Sequence, residues 1–265
     1  MTEPADGAPT PNSGVPRSLP GRHRVLGLPV SAVDLDATVA LAVESVGRRL
    51  PLRIVVMNHS KCRLAVRNPA LRTFLDDAEL VVAESSMVWA ARILGLDGIG
   101  AAWGVALMDA LLQEAEARGW TVYLVGARPP VLADLLAKIR RERPSINVVG
   151  AHHGYLAPDD EERIRADLRE VRPDLFLVAM GSPKQEEFMA SLDPSLGPAV
   201  SLGVGGSFDV HAGHIRDAPG WIRGSGLEWL FRACLSPRLL KRYAVVLPWF
   251  VLAVARQRLT GRAPR

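Results

Sequence analysis

Six short and almost continuous apolar runs restrict the fold of this chain more than any other feature. Unbroken runs of aliphatic and β-branched residues are typical of strands that are covered on both faces. The runs are residues 52–58, 79–84, 120–127, 146–151, 174–180 and 199–205. Segments with helical spacing lie between several of them, at residues 104–119, 129–144 and 158–173. Strands that alternate with helices predict an α/β fold with a mostly parallel sheet and helices on both faces.

The two ends of the chain differ from this pattern. Residues 1–22 are rich in Pro, Gly, Ser and Ala and have no apolar stretch, so we expect a disordered leader and not a signal peptide. The α/β core is predicted over residues 23–212. Residues 213–265 hold ten Lys or Arg and two Asp or Glu, a net charge of +8 in a chain whose total is +4. Such an excess indicates an anionic partner, which is lipid, phosphate or nucleic acid.

The basic tail, residues 213–265, has a helical pattern with many aromatic residues. Its uncharged stretch, residues 243–255, contains Pro248 and is 13 residues long, whereas a helix that spans a bilayer needs about 20. We therefore predict an amphipathic helix in the membrane interface, with Trp249, Phe250 and leucines towards lipid. The alternative is a helix that packs on its own domain or on another subunit, so self-association stays open. Nucleic acid is the weaker interpretation, because the aromatic residues lie in a continuous apolar stretch.

Two polar residues end predicted strands and direct attention to one edge of the sheet. In parallel sheets, ligands bind beyond the carboxyl ends of the strands. Asn58 and Glu84 each end such a strand, so we expect both side chains in the crevice. A carboxylate there can act as a general base. In the alternative interpretation, Glu84 or Ser85 caps the following helix.

The sequence GSPKQEE follows the fifth predicted strand and changes abruptly from apolar to polar. Gly181 lets another group approach the backbone closely, and Pro183 suits the first turn of a helix. Lys184 and Gln185 then lie beside a helix N-terminus, which predicts an anion site. The alternative is an ordinary helix cap with Lys184 and Glu186 solvated.

A glycine-rich segment with one acid, GVGGSFD, follows the last predicted strand. Gly203, Gly205 and Gly206 allow close contact between backbone and ligand. Asp209 can accept a hydrogen bond from a ribose hydroxyl or a base N–H. The segment does not follow the first strand, and no next strand ends in an acid about 20 residues on, so the dinucleotide fingerprint is not met. An NAD enzyme is therefore a poor fit.

Cysteine and histidine spacing gives no metal site. Cys62 and Cys234 lie far apart and are predicted to be buried thiols in a reducing compartment. His211 and His214 have i, i+3 spacing and no third ligand nearby. We therefore expect no bound metal and no cofactor.

Several motifs taken together resemble the WecG/TagA/CpsF glycosyltransferase family. The most specific are MGSPKQEEF, GVGGSFDVHAG, RDAPGWIRGSGLEWLFR and PRLLKRY. The resemblance implies a Rossmann-like core and an inverting enzyme that needs no metal. Such enzymes transfer a sugar, of the N-acetylmannosamine type in one interpretation, from a UDP-sugar to a polyprenyl-diphosphate-linked acceptor in cell-surface polysaccharide synthesis. It also implies a cytoplasmic protein that is peripheral at the anionic inner face of the cell membrane, with no nucleic-acid partner.

The resemblance assigns roles to the candidate residues. Glu84 is the implied base, with Asn58 and Gln185 beside it; Gln185 faces the sugar-nucleotide, and Asp209 holds its uridine side. Arginines of the tail are expected to meet the departing diphosphate. The residues implied to bind the donor are Lys184, Gly181, Gly203, Gly205, Gly206, Asp209, Arg216, Arg223 and Arg232.

Three site positions depart from the family's usual pattern. Thr-x-Asn reads Val-Met-Asn at residues 56–58, and Asp-Gly reads Glu-Ser at residues 84–85. Ala101 and Ala106 replace an Arg and an Asp on either side of Gly104. Two functions follow from this mixture. The chain is a transferase with a rebuilt site, or it is a catalytically impaired paralogue that binds a nucleotide or a lipid.

Overall fold

The structure is a computed structural model that describes residues 18–157, 159–192, 197–216 and 237–263. The strands in these ranges are β1 (Arg22–Val25), β2 (Leu28–Ser31), β3 (Leu52–Met57), β4 (Leu80–Ala83), β5 (Thr121–Gly126), β6 (Asn147–His152), β7 (Leu175–Ala179) and β8 (Val200–Gly203). The helices are α1 (Leu35–Arg48), α2 (His59–Arg67), α3 (Pro69–Asp77), α4 (Ser85–Leu94), α5 (Gly104–Arg118), α6 (Pro129–Glu142), α7 (Asp160–Val171), α8 (Lys184–Ala190), α9 (Ser207–His211) and α10 (Pro237–Thr260).

The main sheet has six strands in the order β4-β3-β8-β7-β5-β6, and every neighbouring pair is parallel. All six predicted strands are present in it. The predicted α/β class is therefore confirmed, together with the parallel sheet. Because all six strands run the same way, their carboxyl ends meet at one edge, which we call the rim.

Alternate side chains of each strand pack into two separate cores, one on each face of the sheet. In β3, Ile54 and Val56 belong to one core and Val55 and Met57 to the other. Helices α1, α5 and α6 cover the first face, and α2, α3, α4, α7, α8 and α10 cover the second. Burial on both faces explains why the strands read as unbroken apolar runs.

A small antiparallel hairpin, β1–β2, stands beside the main sheet and was not predicted. Val25, Leu28 and Val30 are fully buried, and the backbone N–H of Val81 in β4 donates to Ser31 Oγ at 3.1 Å. The hairpin therefore extends the core at the β4 edge. Its first residue, Arg22, is the last residue of the predicted leader, and residues 1–17 of that leader lie outside the described residues.

The long helix of the basic tail is α10, which packs on α2 and α4. Val246, Phe250, Ala253 and Val254 are buried along one face of the helix. The side chain of Gln257 also accepts a hydrogen bond from the backbone N–H of Leu26 at 2.7 Å. The sequence left open whether this helix lies in the membrane interface or packs on its own domain. In the structure, it packs on its own domain.

The opposite face of α10 is open to solvent and carries basic as well as apolar side chains. Its large exposed side chains are Leu240, Val245, Val251, Leu252 and Leu259. The prediction that Phe250 lies towards lipid is wrong, because this ring is 1% exposed and packs 6.2 Å from the ring of Trp89. Among the described helices, none is both long and apolar enough to cross a bilayer.

Candidate active site at the rim of the sheet

The rim carries most of the candidate residues, because they follow four strands of the same parallel sheet. Glu84 follows β4, Asn58 follows β3, and Lys184 and Gln185 follow β7. Asp209 lies in α9, which follows β8. In the strand order of the sheet, Glu84 and Asn58 are therefore neighbours at one end of the rim, and Lys184 and Asp209 lie further along it.

Asn58 and Glu84 form a fixed pair. Asn58 Nδ2 donates to Glu84 Oε2 at 2.9 Å, and Asn58 Oδ1 accepts from the backbone N–H of Lys61 at 3.0 Å, which caps α2. Both ends of the Asn58 amide are thus assigned by chemistry, because one partner can only accept and the other can only donate. Glu84 occupies the N-cap position of α4 but makes no side-chain cap bond. Its half-buried carboxylate is held by Asn58 instead.

The second part of the rim is a cavity of about 540 Å³. A cavity of this size lies within the range of about 300–1,000 Å³ that is usual for small-molecule sites. Its polar and aromatic lining comes from Arg128, Tyr155, Lys184 and Asp209. Arg128 Nη2 lies 4.0 Å from Asp209 Oδ1. Two cations, one carboxylate and an exposed ring can together receive an anionic ligand with a hydrogen-bonding planar group.

Sequence reasoning missed Arg128 and Tyr155 as site residues. Arg128 is the first charged side chain after β5, so the strand-end rule that selected Asn58 and Glu84 also points to it. Tyr155 belongs to the loop after β6 and has no spacing signal of its own.

Gln185 does not line this cavity but is buried beside it, with 2% of its surface exposed. Its Oε1 accepts from the backbone N–H of Gly205 at 3.1 Å, and its Nε2 donates to Glu186 Oε1 at 2.8 Å. Glu186 is fully buried, so the alternative in which it is solvated is wrong; Lys184 is exposed. Gln185 therefore joins the loop after β8 to helix α8.

The glycines of the rim serve two different purposes. Gly181 and Gly205 have φ of 76° and 54°, a left-handed conformation that favours glycine. Gly203 is needed for space, since a Cβ there would lie 2.6 Å from Gln185 Nε2. Gly206 has open space around its position.

This contrast gives a first prediction. We expect Gly203→Ala to lower the free energy of unfolding by about 1–3 kcal/mol, because the new methyl group displaces the buried Gln185 side chain. Gly206→Ala is the matched control and should change stability by less than about 0.5 kcal/mol. Urea denaturation of the two variants measures this. Equal stabilities would show that Gln185 is not held as described.

The remaining candidates are partly outside the described residues. Arg223 and Arg232 lie there, as does Cys234, while Arg216 is described and exposed.

Cys62 is a buried free thiol, as predicted, and burial raises its pKa to about 12. His214 Nε2 lies 2.7 Å from Asp134 Oδ2, and His211 Nε2 lies 3.3 Å from the backbone oxygen of Val105. Over the described ranges, no group of three or more His, Cys, Asp or Glu could hold a metal ion.

A parallel sheet with helices on both faces and a polar cavity at its carboxyl edge defines a Rossmann-like α/β protein. The model of the glycosyl transferase WecG/TagA/CpsF family matches residues 23–264. The chain therefore belongs to this family, and the resemblance found in its motifs is confirmed. Membership implies a glycosyltransferase that acts in cell-surface polysaccharide synthesis.

Proposed function

We propose that the protein transfers a sugar from a UDP-sugar, of the N-acetylmannosamine type, to a hydroxyl of a polyprenyl-diphosphate-linked acceptor. The transfer inverts the anomeric centre and uses no metal. The observation that carries the proposal is the arrangement of the rim, where a carboxylate held by an amide lies on the same sheet edge as a polar cavity of nucleotide size.

The cavity is the donor end of this site. Lys184 and Arg128 provide positive charge where the diphosphate of the donor would lie, and Asp209 provides an acceptor for ribose or uracil. Charge that develops on a leaving diphosphate needs such fixed cations when no metal is used. Arg216 and the tail arginines Arg223 and Arg232 are the further candidates for this role.

Glu84 and Asn58 form the reacting end. The proposed base, Glu84, takes the proton of the acceptor hydroxyl as the glycosidic bond forms and UDP leaves. Glutamate is one methylene longer than the family's usual aspartate, and the hydrogen bond from Asn58 at 2.9 Å fixes where the longer side chain ends. This contact supports a working transferase with an altered active site over a catalytically impaired paralogue.

The position of α10 supports an acceptor that arrives from a membrane. The ring of Tyr243, near the start of α10, lies 4.9 Å from the ring of His59, and His59 directly follows Asn58. The first turns of α10 thus lie next to the reacting end. We therefore place the protein at the cytoplasmic face of the cell membrane, on an anionic lipid surface.

The substituted positions favour one alternative, a catalytically impaired paralogue. Ala101 pairs with Ala83 next to Glu84, so a position that is usually an arginine carries no charge at the reacting end. An assay of the purified protein with a panel of UDP-sugars and polyprenyl-diphosphate acceptors separates the two functions. Transfer with any pair supports the transferase. Saturable UDP binding without transfer across the panel supports the paralogue.

The donor end gives a second prediction, on affinity. We expect Lys184→Met to weaken UDP binding by about 10- to 100-fold, because a hydrogen bond from a charged group to a phosphate contributes about 1.5–3 kcal/mol. Lys138→Met removes a cation from the middle of α6 and is the control, with an unchanged affinity expected. Calorimetric titration with UDP measures both. Equal affinities for the two variants would remove Lys184 from the donor site.

A further inference from the structure

The most deeply buried ion pair among the described residues joins two helices of the rim. Lys61 Nζ lies 2.7 Å from Glu186 Oε1, and the two side chains are 7% and 1% exposed. Burying two charges costs several kcal/mol per ion, and a good apolar replacement of such a pair is often equally stable. Stability alone therefore gives no reason for charges at this place.

The hydrogen-bond donors around the Glu186 carboxylate are all on one of its two oxygens. Its Oε1 accepts from Lys61 Nζ at 2.7 Å, from Gln185 Nε2 at 2.8 Å and from Ser182 Oγ at 3.0 Å. Its Oε2 is buried and has no hydrogen-bond partner among the described residues. All three donors therefore contact the same oxygen of the carboxylate. Of the two neutral donors, the Gln185 amide is the closer one.

The orientation of the Gln185 amide follows from this contact. A carboxylate can only accept and the Gly205 N–H can only donate, so Nε2 must face Glu186 and Oε1 must face Gly205. The Gly205 N–H and the Glu186 carboxylate thus hold the two ends of the amide. Glu186 therefore anchors the α8 side of the link to the glycine loop after β8.

Lys61 connects the same network to the reacting end. Its backbone N–H donates to Asn58 Oδ1 at 3.0 Å, and Asn58 Nδ2 in turn donates to Glu84 at 2.9 Å. A continuous path of hydrogen bonds and one ion pair therefore runs along the rim from Glu84, through Asn58, Lys61, Glu186 and Gln185, to Gly205.

We propose that Lys61 and Glu186 are a positioning pair, which holds the Gln185 amide and keeps the donor end in register with Glu84. The inference rests on the proposed function for its catalytic consequence, but its structural part does not. Neither residue touches the reacting atoms. Glu186 acts through the Gln185 amide, and the Lys61 side chain acts through Glu186, because Lys61 contacts Asn58 only with its backbone N–H.

The test replaces both charges by apolar side chains of similar size, Lys61→Met with Glu186→Met. Because no unpaired charge is left buried, we expect the variant to fold, with a melting temperature lowered only by the hydrogen bond that the buried Gln185 Nε2 loses. We expect kcat/KM for transfer to fall about 10²-fold, the usual result of a misplacement of about 1 Å. The Gly205 amide, which loses its ordered acceptor, should exchange its proton about tenfold faster or more.

Two controls separate positioning from support of the fold. Arg53→Met with Glu79→Met removes an ion pair of 2.9 Å at the opposite end of β3, and its kcat/KM per folded molecule should not change. The Val204 N–H, which donates to Val178 O at 2.8 Å within the sheet, should keep its exchange rate in all variants. If the double methionine variant does not fold, Glu186→Gln serves in its place with a smaller expected rise in Gly205 exchange.

The exchange measurement needs no substrate, so the outcomes are distinguishable. An unchanged Gly205 exchange rate, or a kcat/KM equal to that of the wild type, overturns the positioning role. A raised Gly205 exchange rate in a protein that transfers no sugar supports the positioning role and counts against the proposed transferase.

Discussion

Replacing Glu84 with glutamine is expected to lower the rate of sugar transfer by about 10²–10⁴-fold, the contribution that a general base usually makes. Glutamine has the same length, and its Oε1 can still accept from Asn58 Nδ2, so the hydrogen bond of 2.9 Å is retained. The change therefore removes proton acceptance and little else. UDP affinity, which depends on the cavity further along the rim, should remain within about a factor of two of the wild type.

Glu84→Asp is the more informative companion variant. It installs the residue that is usual in the family but shortens the side chain by one methylene, so the contact with Asn58 is lost. If the site has been rebuilt around glutamate, we expect Glu84→Asp to lower the rate by about 10²-fold. Glu114→Gln, which changes an exposed carboxylate paired with Arg118, controls for loss of charge. A full rate in Glu84→Gln would show that another group is the base.

The strands were predictable because burial on both faces leaves a local mark in the sequence. Runs such as residues 174–180 have no polar face to solvate, and so they cannot be surface strands. The β1–β2 hairpin left no such mark. Its first strand, Arg22–Val25, carries three basic residues, and it is a strand because it pairs with β2, which in turn contacts β4.

The rim could be predicted only in part, since the strand-end rule depends on topology and the contacts depend on packing. The rule selected Asn58 and Glu84, which the structure brings to hydrogen-bond distance. Lys61 and Glu186 are 125 residues apart, and no periodicity relates them. In the sequence, Glu186 looks like a solvated helix residue, and only the fold shows that it is fully buried.

The tail shows why composition alone could not assign helix faces. The tail has enough aromatic and apolar residues for two faces, one that packs on the domain and one that is exposed. The sequence does not indicate which residue belongs to which face. Phe250 and Val254 complete the core, whereas Leu252 is 70% exposed. Deletion of residues 213–265 would therefore open the core as well as remove the open face of α10, and cannot test membrane contact cleanly.

Substitutions on the open face of α10 give the sharper test. We expect Leu252→Ser with Leu259→Ser to weaken binding to vesicles that contain anionic phospholipid by about 10²–10⁴-fold, because burying each leucine side chain contributes about 1.5–3 kcal/mol and two are removed. Both side chains are mostly exposed, at 70% and 85%, so the melting temperature should not change. Flotation with such vesicles and with purely zwitterionic vesicles measures the effect.

The controls for this prediction separate the apolar contribution from the charge contribution and from folding. Val171→Ser removes an exposed apolar side chain from α7, away from α10, and should float as the wild type does. Higher salt should weaken wild-type binding to anionic vesicles, because the positive charges of the tail then interact less with the headgroups. Phe250→Ala should instead destabilise the fold by about 3–5 kcal/mol, since it empties a core position. If Leu252→Ser with Leu259→Ser floats as the wild type does, the open face of α10 is not the surface that contacts lipid.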